Sequence, residues 1–271
     1  MNNSFLKWAG SKQNALNNIF ENVPQSGEVL IEPFMGACNV SLNADYKKMI
    51  LCDINEDLVN LCRWVAKKPN DVIREAQSLF TKETNQLEKY YELRKKYNES
   101  VNPKERALLF LYLNRHAYNG LCRYNNSGGY NVSFGFYKKP LLPVEAIHFF
   151  SKKLKTAEFK HIAFNKLRFK SKEGVTVYCD PPYLPLSPTA SFSAYSKLGF
   201  SPEDNDKLNE RCVTWADRGC DVFLSNHQTP LIEKHYAEGT VIDRFNVRRS
   251  ISCKGEKRES APEILISYKN R

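Results

Sequence analysis

"EVLIEPFMGACNVSLNADYKKMILCDI", residues 28–54, decides the fold. Two short apolar runs, "EVLIEPF" (28–34) and "KMILCDI" (48–54), flank a glycine turn and a segment long enough for a short helix, so the stretch predicts a strand, a turn, a helix and a second strand. Outward from it, "VTVYC" (175–179), "CDVFLSNH" (220–227) and "EILISYK" (263–269) read as a third, fourth and fifth strand. A punctuated helix lies between the third and fourth. Ser201 is its N-cap, Pro202 its first residue, Leu208, Cys212, Val213 and Ala216 its apolar face, and Gly219 its terminator. Strands alternating with helices predict an α/β fold with a doubly wound, mostly parallel, Rossmann-like sheet.

Residues 57–143 break that rhythm. They carry helical patterns such as "ALLFLYLNRHAY" (107–118), then the turn-rich "NGLCRYNNSGGYNVSFGFYKKP" (119–140), and no buried parallel strand. We therefore expect two units: 1–56 with 144–271, and an inserted, mainly helical unit, 57–143. The insertion holds 15 Lys and Arg against 8 Asp and Glu, and has no acid between Arg106 and Val144. A solvated basic face is the bland reading. The cations are interleaved with Tyr118, Tyr124, Tyr130, Phe134, Phe136 and Tyr137, a mixture that suits phosphates and stacked bases.

The whole chain supports that partner. Its 271 residues carry a formal charge of +10, which attracts polyanions, and nucleic acid is the commonest partner of a basic protein. No apolar run reaches the roughly 18 residues of a membrane span, and "MNNSFLKWAGSK" has no apolar core of a signal peptide. The expected location is the cytoplasm, on the nucleoid. Eight cysteines are scattered without a C-x-x-C pair, which predicts reduced thiols, no disulfide and no metal.

The third strand ends in "DPPY" (180–183). Ligands bind beyond the carboxyl ends of strands in such a sheet. Pro181 and Pro182 remove two backbone donors, so Asp180 and the Pro181 carbonyl form an acceptor-only edge beside the Tyr183 ring. That edge suits a planar aromatic amine. The amino group of adenine is a weak nucleophile because its lone pair is delocalised. Two acceptors on its hydrogens let the nitrogen pyramidalise and stabilise the charge that develops there. An edge turn with a packed tyrosine is the alternative. Gly36 permits close backbone approach after the first strand, and Asp53 at the end of the second is placed to accept ribose hydroxyls. "KWAGSK" (7–12) reads as a basic loop opening a helix and lacks the P-loop pattern.

"FLKWAGSK" (5–12), "EPFMGA" (32–37), "CDIN" (52–55), "LNRHAYNGLCRYN" (113–125), "VSFGFYKKP" (132–140), "DPPY" and "VRRSIS" (247–252) resemble, in order and spacing, the bacterial adenine-N6 DNA methyltransferases that modify GATC. The resemblance implies methyl transfer from S-adenosylmethionine, with S-adenosylhomocysteine as product, to a flipped adenine of double-stranded DNA, with no metal and no obligate protein partner. By resemblance Asp180, Pro181 and Tyr183 are catalytic. Trp8, Ala9, Gly10, Lys12, Phe34, Gly36, Asp53, Ile54 and Asp180 hold the cofactor. Tyr118 wedges into the stack, Asn119 pairs with what is left behind, Leu121 and Ser133 face the thymine, Arg123 reads a guanine, and Lys7 and Tyr137 read the first guanine. Three positions depart from the pattern: Cys38 replaces a glycine, Ser133 a proline and Phe136 an arginine. The same acceptor edge also serves cytosine N4 or an RNA adenine, and the fold alone would serve a non-catalytic DNA-binding protein. Two further segments are expected to act: the serine-rich 184–199 as a lid and the basic 248–258 as a phosphate grip.

Overall fold

The first apolar run forms strand β1 (Ser26–Glu32), which stops at Pro33, a residue with no N–H to give the ladder. A computed structural model describes residues 1–184, 200–248 and 260–268. The expected lid beyond Leu184 and the basic segment beyond Arg248 lie outside the described residues. β2 (Asp45–Asp53) follows a short helix, Asn39–Asn43, and β4 (Val175–Cys179) and β5 (Asp221–His227) are the expected third and fourth strands.

Two strands were not legible as strands: β3 (Glu158–His161) and β6 (Thr240–Arg248), so among the described residues the sheet has seven members instead of five. β3 buries Phe159 but neither Glu158 nor His161, and it lies at one edge of the sheet. β6 forms the other edge, and its register slips between Val241 and Asp243. Neither presents the apolar run of a strand covered on both faces. β7 (Ser260–Tyr268) is the expected fifth strand, antiparallel to both β5 and β6.

The order is β3-β2-β1-β4-β5-β7-β6, with β1 to β5 parallel. The chain winds outward from β1 to β3, then returns to β4 and winds the other way. The carboxyl ends of β1 and β4 therefore flank a topological switch point, where such sheets open a crevice. Pro33 to Gly36 leave β1 there and Asp180 leaves β4 there. β7 runs the opposite way, so its early residue Glu263 pairs with His227 at the end of β5 and reaches the same edge.

All five residues of β4 are buried, and alternation sends them to two apolar layers. Ile31, Val177, Leu224 and Ile266 pack on the side of the helix Pro202–Asp217, while Leu30, Leu51, Tyr178 and Leu265 face the other. Each such side chain contributes roughly 1.5–3 kcal/mol by leaving water. The expected helix punctuation is present: Ser201 and Asp204 form a reciprocal capping box, and Gly219 closes the far end by donating to the Ala216 carbonyl at 2.8 Å.

Residues 57–143 fall within the crossover from β2 to β3. The helices Glu56–Lys67, Pro69–Ala76, Leu87–Glu99 and Pro103–His116 occupy it, and the helix Val144–Leu154 leads back to the sheet. Pro103–His116 buries residues on nearly every side, which explains why its periodicity is weak. Past it, 117–137 is irregular, held by two isolated bridges, Ala117 with Phe134 and Tyr124 with Tyr130.

Candidate active site

Asp180 follows β4 at the switch point, and its side chain is 19% exposed. Lys12 reaches it from the N-terminal segment. The Lys12 Nζ lies 2.9 Å from Asp180 Oδ1 and 3.6 Å from an oxygen of Glu263. The Ser225 hydroxyl donates to the same Asp180 Oδ1 at 3.3 Å, and Ser225 Oγ lies 2.8 Å from the Tyr178 hydroxyl. Tyr183 donates its hydroxyl to Glu263 at 3.0 Å, sets its ring edge-on to His227 with 4.3 Å between centroids, and lies under the Lys12 ammonium at 4.5 Å.

Burial pushes the Asp180 carboxyl up to about 6; Lys12 and Ser225 pull it back and Glu263 adds to the rise. Burial works against the Lys12 charge, but Asp180 and Glu263 outweigh it and hold the ammonium above its ordinary range. The centre is thus two carboxylates sharing one cation, an arrangement that can accept hydrogen bonds from an amine and take up a proton near neutrality.

The ends of β1 and β2 lie beside this centre on the same edge of the sheet. Gly36 adopts φ +45°, which favours glycine, and a Cβ there would lie 3.3 Å from the Trp8 indole, close enough that the indole would have to shift. Cys38, at the glycine position of the resembled pattern, keeps a left-handed φ of 59° at a cost of roughly 1–2 kcal/mol. Asp53 ends β2 next to Gly36. Its Oδ2 accepts the Gly36 N–H at 3.1 Å and its Oδ1 the Asn55 N–H at 2.9 Å. Burial raises the Asp53 carboxyl, and these backbone bonds partly offset the rise. Phe34 packs with Phe164 and Phe200 at 5.4 and 5.8 Å, and Ile54 is exposed at the rim. Gly10 is exposed, Ala9 half-buried, and Ser11 donates to the Trp8 carbonyl, turning the loop toward Lys12. A carboxylate for a diol, an aromatic wall and a glycine-floored approach fit an adenosine-bearing cofactor.

The candidate reading residues gather at the opposite end of the N-terminal segment. Lys7 exchanges hydrogen bonds with Asn114, and its Nζ lies 4.0 Å over the Tyr137 ring. Burial, then Arg115, push its ammonium down to about 8. Tyr118 is 45% exposed, and its N–H joins the Ser133 carbonyl at 2.8 Å. Asn119 turns the chain with φ 52°, and Leu121 is half-buried beyond it. Arg123 Nε donates to the Asn131 side chain at 2.8 Å across a hairpin. Phe136 stands out from the same surface, 76% exposed and at φ 46°, with the Phe134 ring beside it, centroids 5.0 Å apart.

Glu263, Ser225, Tyr178 and Glu32 escaped the sequence reading. Glu263 carried one signal, an acid heading an apolar strand; its burial followed only from the antiparallel β7. Glu32 accepts the Ser41 N–H at 2.8 Å, and burial pushes it up to about 8, with Asp180 adding to the rise. Ser225 and Tyr178 look like ordinary strand residues until the pairing of β4 with β5 brings their hydroxyls within 2.8 Å of each other.

Known proteins carry the same pattern. The family model of D12 class N6 adenine-specific DNA methyltransferases matches residues 8–251. A DNA adenine methylase of Escherichia coli K12 is 43% identical over 268 residues, 99% of this chain and 96% of that one. One of Serratia marcescens is 43% identical over 269 residues, 99% of each chain, and one of Vibrio cholerae O1 is 40% identical over 266 residues, 98% of this chain and 95% of that one. With the acceptor edge after β4 and a match that runs from the Trp8 loop past β6, the chain belongs to the D12 class N6 adenine-specific DNA methyltransferases.

Proposed function

We propose that the enzyme methylates N6 of the adenine in duplex GATC sites, using S-adenosylmethionine, with the base extruded from the helix. The observation that carries this reading is Asp180 at the switch point, held by Lys12 and Ser225 beside the Tyr183 ring. Asp53, Gly36, Trp8, Phe34, Ile54 and the loop through Ala9 and Gly10 would hold the cofactor, which supplies an electrophilic methyl group when bound. Asp180 and the Pro181 carbonyl accept the two N6 hydrogens, and Tyr183 stacks on the base. As the carbon–nitrogen bond forms, the methyl carbon's bond to the sulfonium sulfur would break, its electron pair staying on sulfur, and the nitrogen, now cationic, loses one proton along its hydrogen bond to Asp180. A carboxyl with its pKa near 6 is ionised at neutral pH and ready to receive it.

A base inside a duplex cannot reach this edge, so it must leave the stack at a cost of a few kcal/mol. The crossover 57–143 would act as the target-recognition unit. Exposed Tyr118 fills the gap, Asn119 meets the orphaned partner, Leu121 and Ser133 face the thymine, Arg123 reads a guanine, and Lys7 with Tyr137 reads the first guanine. A bidentate arginine–guanine contact supplies about 1–3 kcal/mol of discrimination. The experiment is expression in methylation-deficient cells, followed by sequencing that detects N6-methyladenine and its neighbours. Methylation at GATC is expected, and Asp180→Ala should keep duplex affinity while transfer falls by roughly a hundredfold or more. Near-normal turnover in that variant, or a mark on another base, would refute the reading.

A further inference from the structure

We propose that Glu263 is a positioning residue of the catalytic centre: it receives the Lys12 ammonium from Asp180 when the target amino group arrives, and it anchors Tyr183 through the exchange. The inference rests on the methyl-transfer reading above.

Lys12 sits on Asp180 Oδ1 at 2.9 Å, and the Ser225 hydroxyl reaches the same atom. An incoming amine has to compete with that ammonium for the carboxylate. If Asp180 were the only partner, freeing it would leave a buried cation unpaired, and one partner lost from a buried pair is strongly unfavourable. Glu263 removes that obstacle. Its carboxylate already lies 3.6 Å from the same Nζ, and the side chains of Lys12 and Glu263 are only 5% and 7% exposed. A small swing of one side chain exchanges the partners without passing through water. The Tyr183 hydroxyl donates to Oε2 of Glu263, the atom that faces Lys12, so the ring that stacks on the base is tied to the same carboxylate.

The groups around the exchange come from every neighbouring element. Lys12 arrives from the N-terminal segment, Glu32 from β1, Tyr178, Asp180 and Tyr183 from β4 and its turn, and Ser225 and His227 from β5, with His227 opposite Glu263 in the strand register. Lys12 is the cation shared by Asp180 and Glu263, so removing either acid hands it wholly to the other.

Single-turnover methylation of a GATC duplex, measured against pH, tests this. Glu263→Gln keeps the shape and an acceptor for Tyr183 but loses the charge. Its plateau rate should fall about tenfold or more, because Lys12 stays on Asp180. Its acid limb should move to lower pH, because the neighbouring charge that raises Asp180 is gone. Cofactor and duplex affinities, measured by calorimetry, should stay within about twofold. Glu263→Asp keeps the charge and shortens the reach, so its limb should stay in place while the plateau drops; it carries the test if the glutamine variant does not fold. A wild-type plateau in either variant, or a lost plateau with an unmoved limb in Glu263→Gln, overturns the inference alone. Absence of methyl transfer by the wild-type enzyme overturns the parent reading and this inference with it.

Discussion

Asp57→Ala should cost about 3 kcal/mol of stability, and sequence discrimination should suffer with it. Asp57 Oδ1 accepts Arg106 Nε and Nη2 at 2.9 and 2.7 Å, and Oδ2 accepts the Tyr124 hydroxyl at 2.9 Å. The side chains of Arg106 and Asp57 are 27% and 12% exposed. Removing one partner of a buried pair costs about 3–5 kcal/mol. The lower end applies here, because Arg106 Nη1 keeps the Tyr97 and Ser100 carbonyls at 3.0 Å and the guanidinium keeps the Tyr97 ring at 4.5 Å. At 2–4 °C per kcal/mol, 3 kcal/mol lowers Tm by roughly 6–12 °C. Tyr124 belongs to the hairpin of Arg123, whose carbonyl accepts the Asn131 N–H at 3.1 Å, so loosening its anchor should weaken GATC binding more than non-specific binding. Urea titration followed by circular dichroism, with competition between matched and single-mismatch duplexes, measures both. The double variant Asp57→Leu, Arg106→Met should recover at least about 1 kcal/mol, since an apolar pair leaves no orphaned charge. A loss under about 1 kcal/mol in Asp57→Ala, or no recovery in the double variant, would refute the reasoning.

Two further outcomes follow from single contacts. Glu32 titrates near 8 in the folded chain against an ordinary 4.5, so the folded state favours its proton, and stability is lost as pH rises between those values. Glu32→Gln should therefore gain Tm over wild type progressively across that window and level off above it; a constant difference in melting series would contradict the assignment. Gly120 has φ +63°, and a Cβ there would lie 2.5 Å from the Lys7 Cβ, so Gly120→Ala must displace the Lys7 stem. Discrimination at the first base pair should drop about tenfold or more with non-specific affinity kept, as read by duplex competition; unchanged discrimination would separate Lys7 from base reading.

What was legible in the sequence was whatever two-sided burial wrote as an apolar run. β1, β2, β4 and β5 announce themselves this way, and the helix Pro202–Asp217 by its cap and terminator. β3 and β6 are edge strands, half wetted, and their residues carry no such run. The boundary of β1 was set by Pro33, two residues before the end of the apolar stretch. In the site, Asp180 and Tyr183 were legible because acid, prolines and ring are contiguous. Glu263 was not, because only an antiparallel partner beside β5 brings residue 263 next to residue 183. Lys12 read as a cofactor residue on resemblance; its pairing with Asp180 needed the turn of the Trp8 loop.

The seven described cysteines are free and buried, and they are divided between the two faces of the sheet. Cys38 and Cys62 belong to one apolar layer with Cys122, while Cys52, Cys179, Cys212 and Cys220 belong to the other. Burial pushes the thiols of Cys52 and Cys122 up to about 12, so neither is a ready nucleophile while the fold stays closed. Alkylation under native conditions accordingly counts openings, and peptide mapping of the label tells which side of the molecule breathes. The protein carries its own set of unfolding probes, one panel on the layer beneath the crossover helices and one beneath the helix Pro202–Asp217.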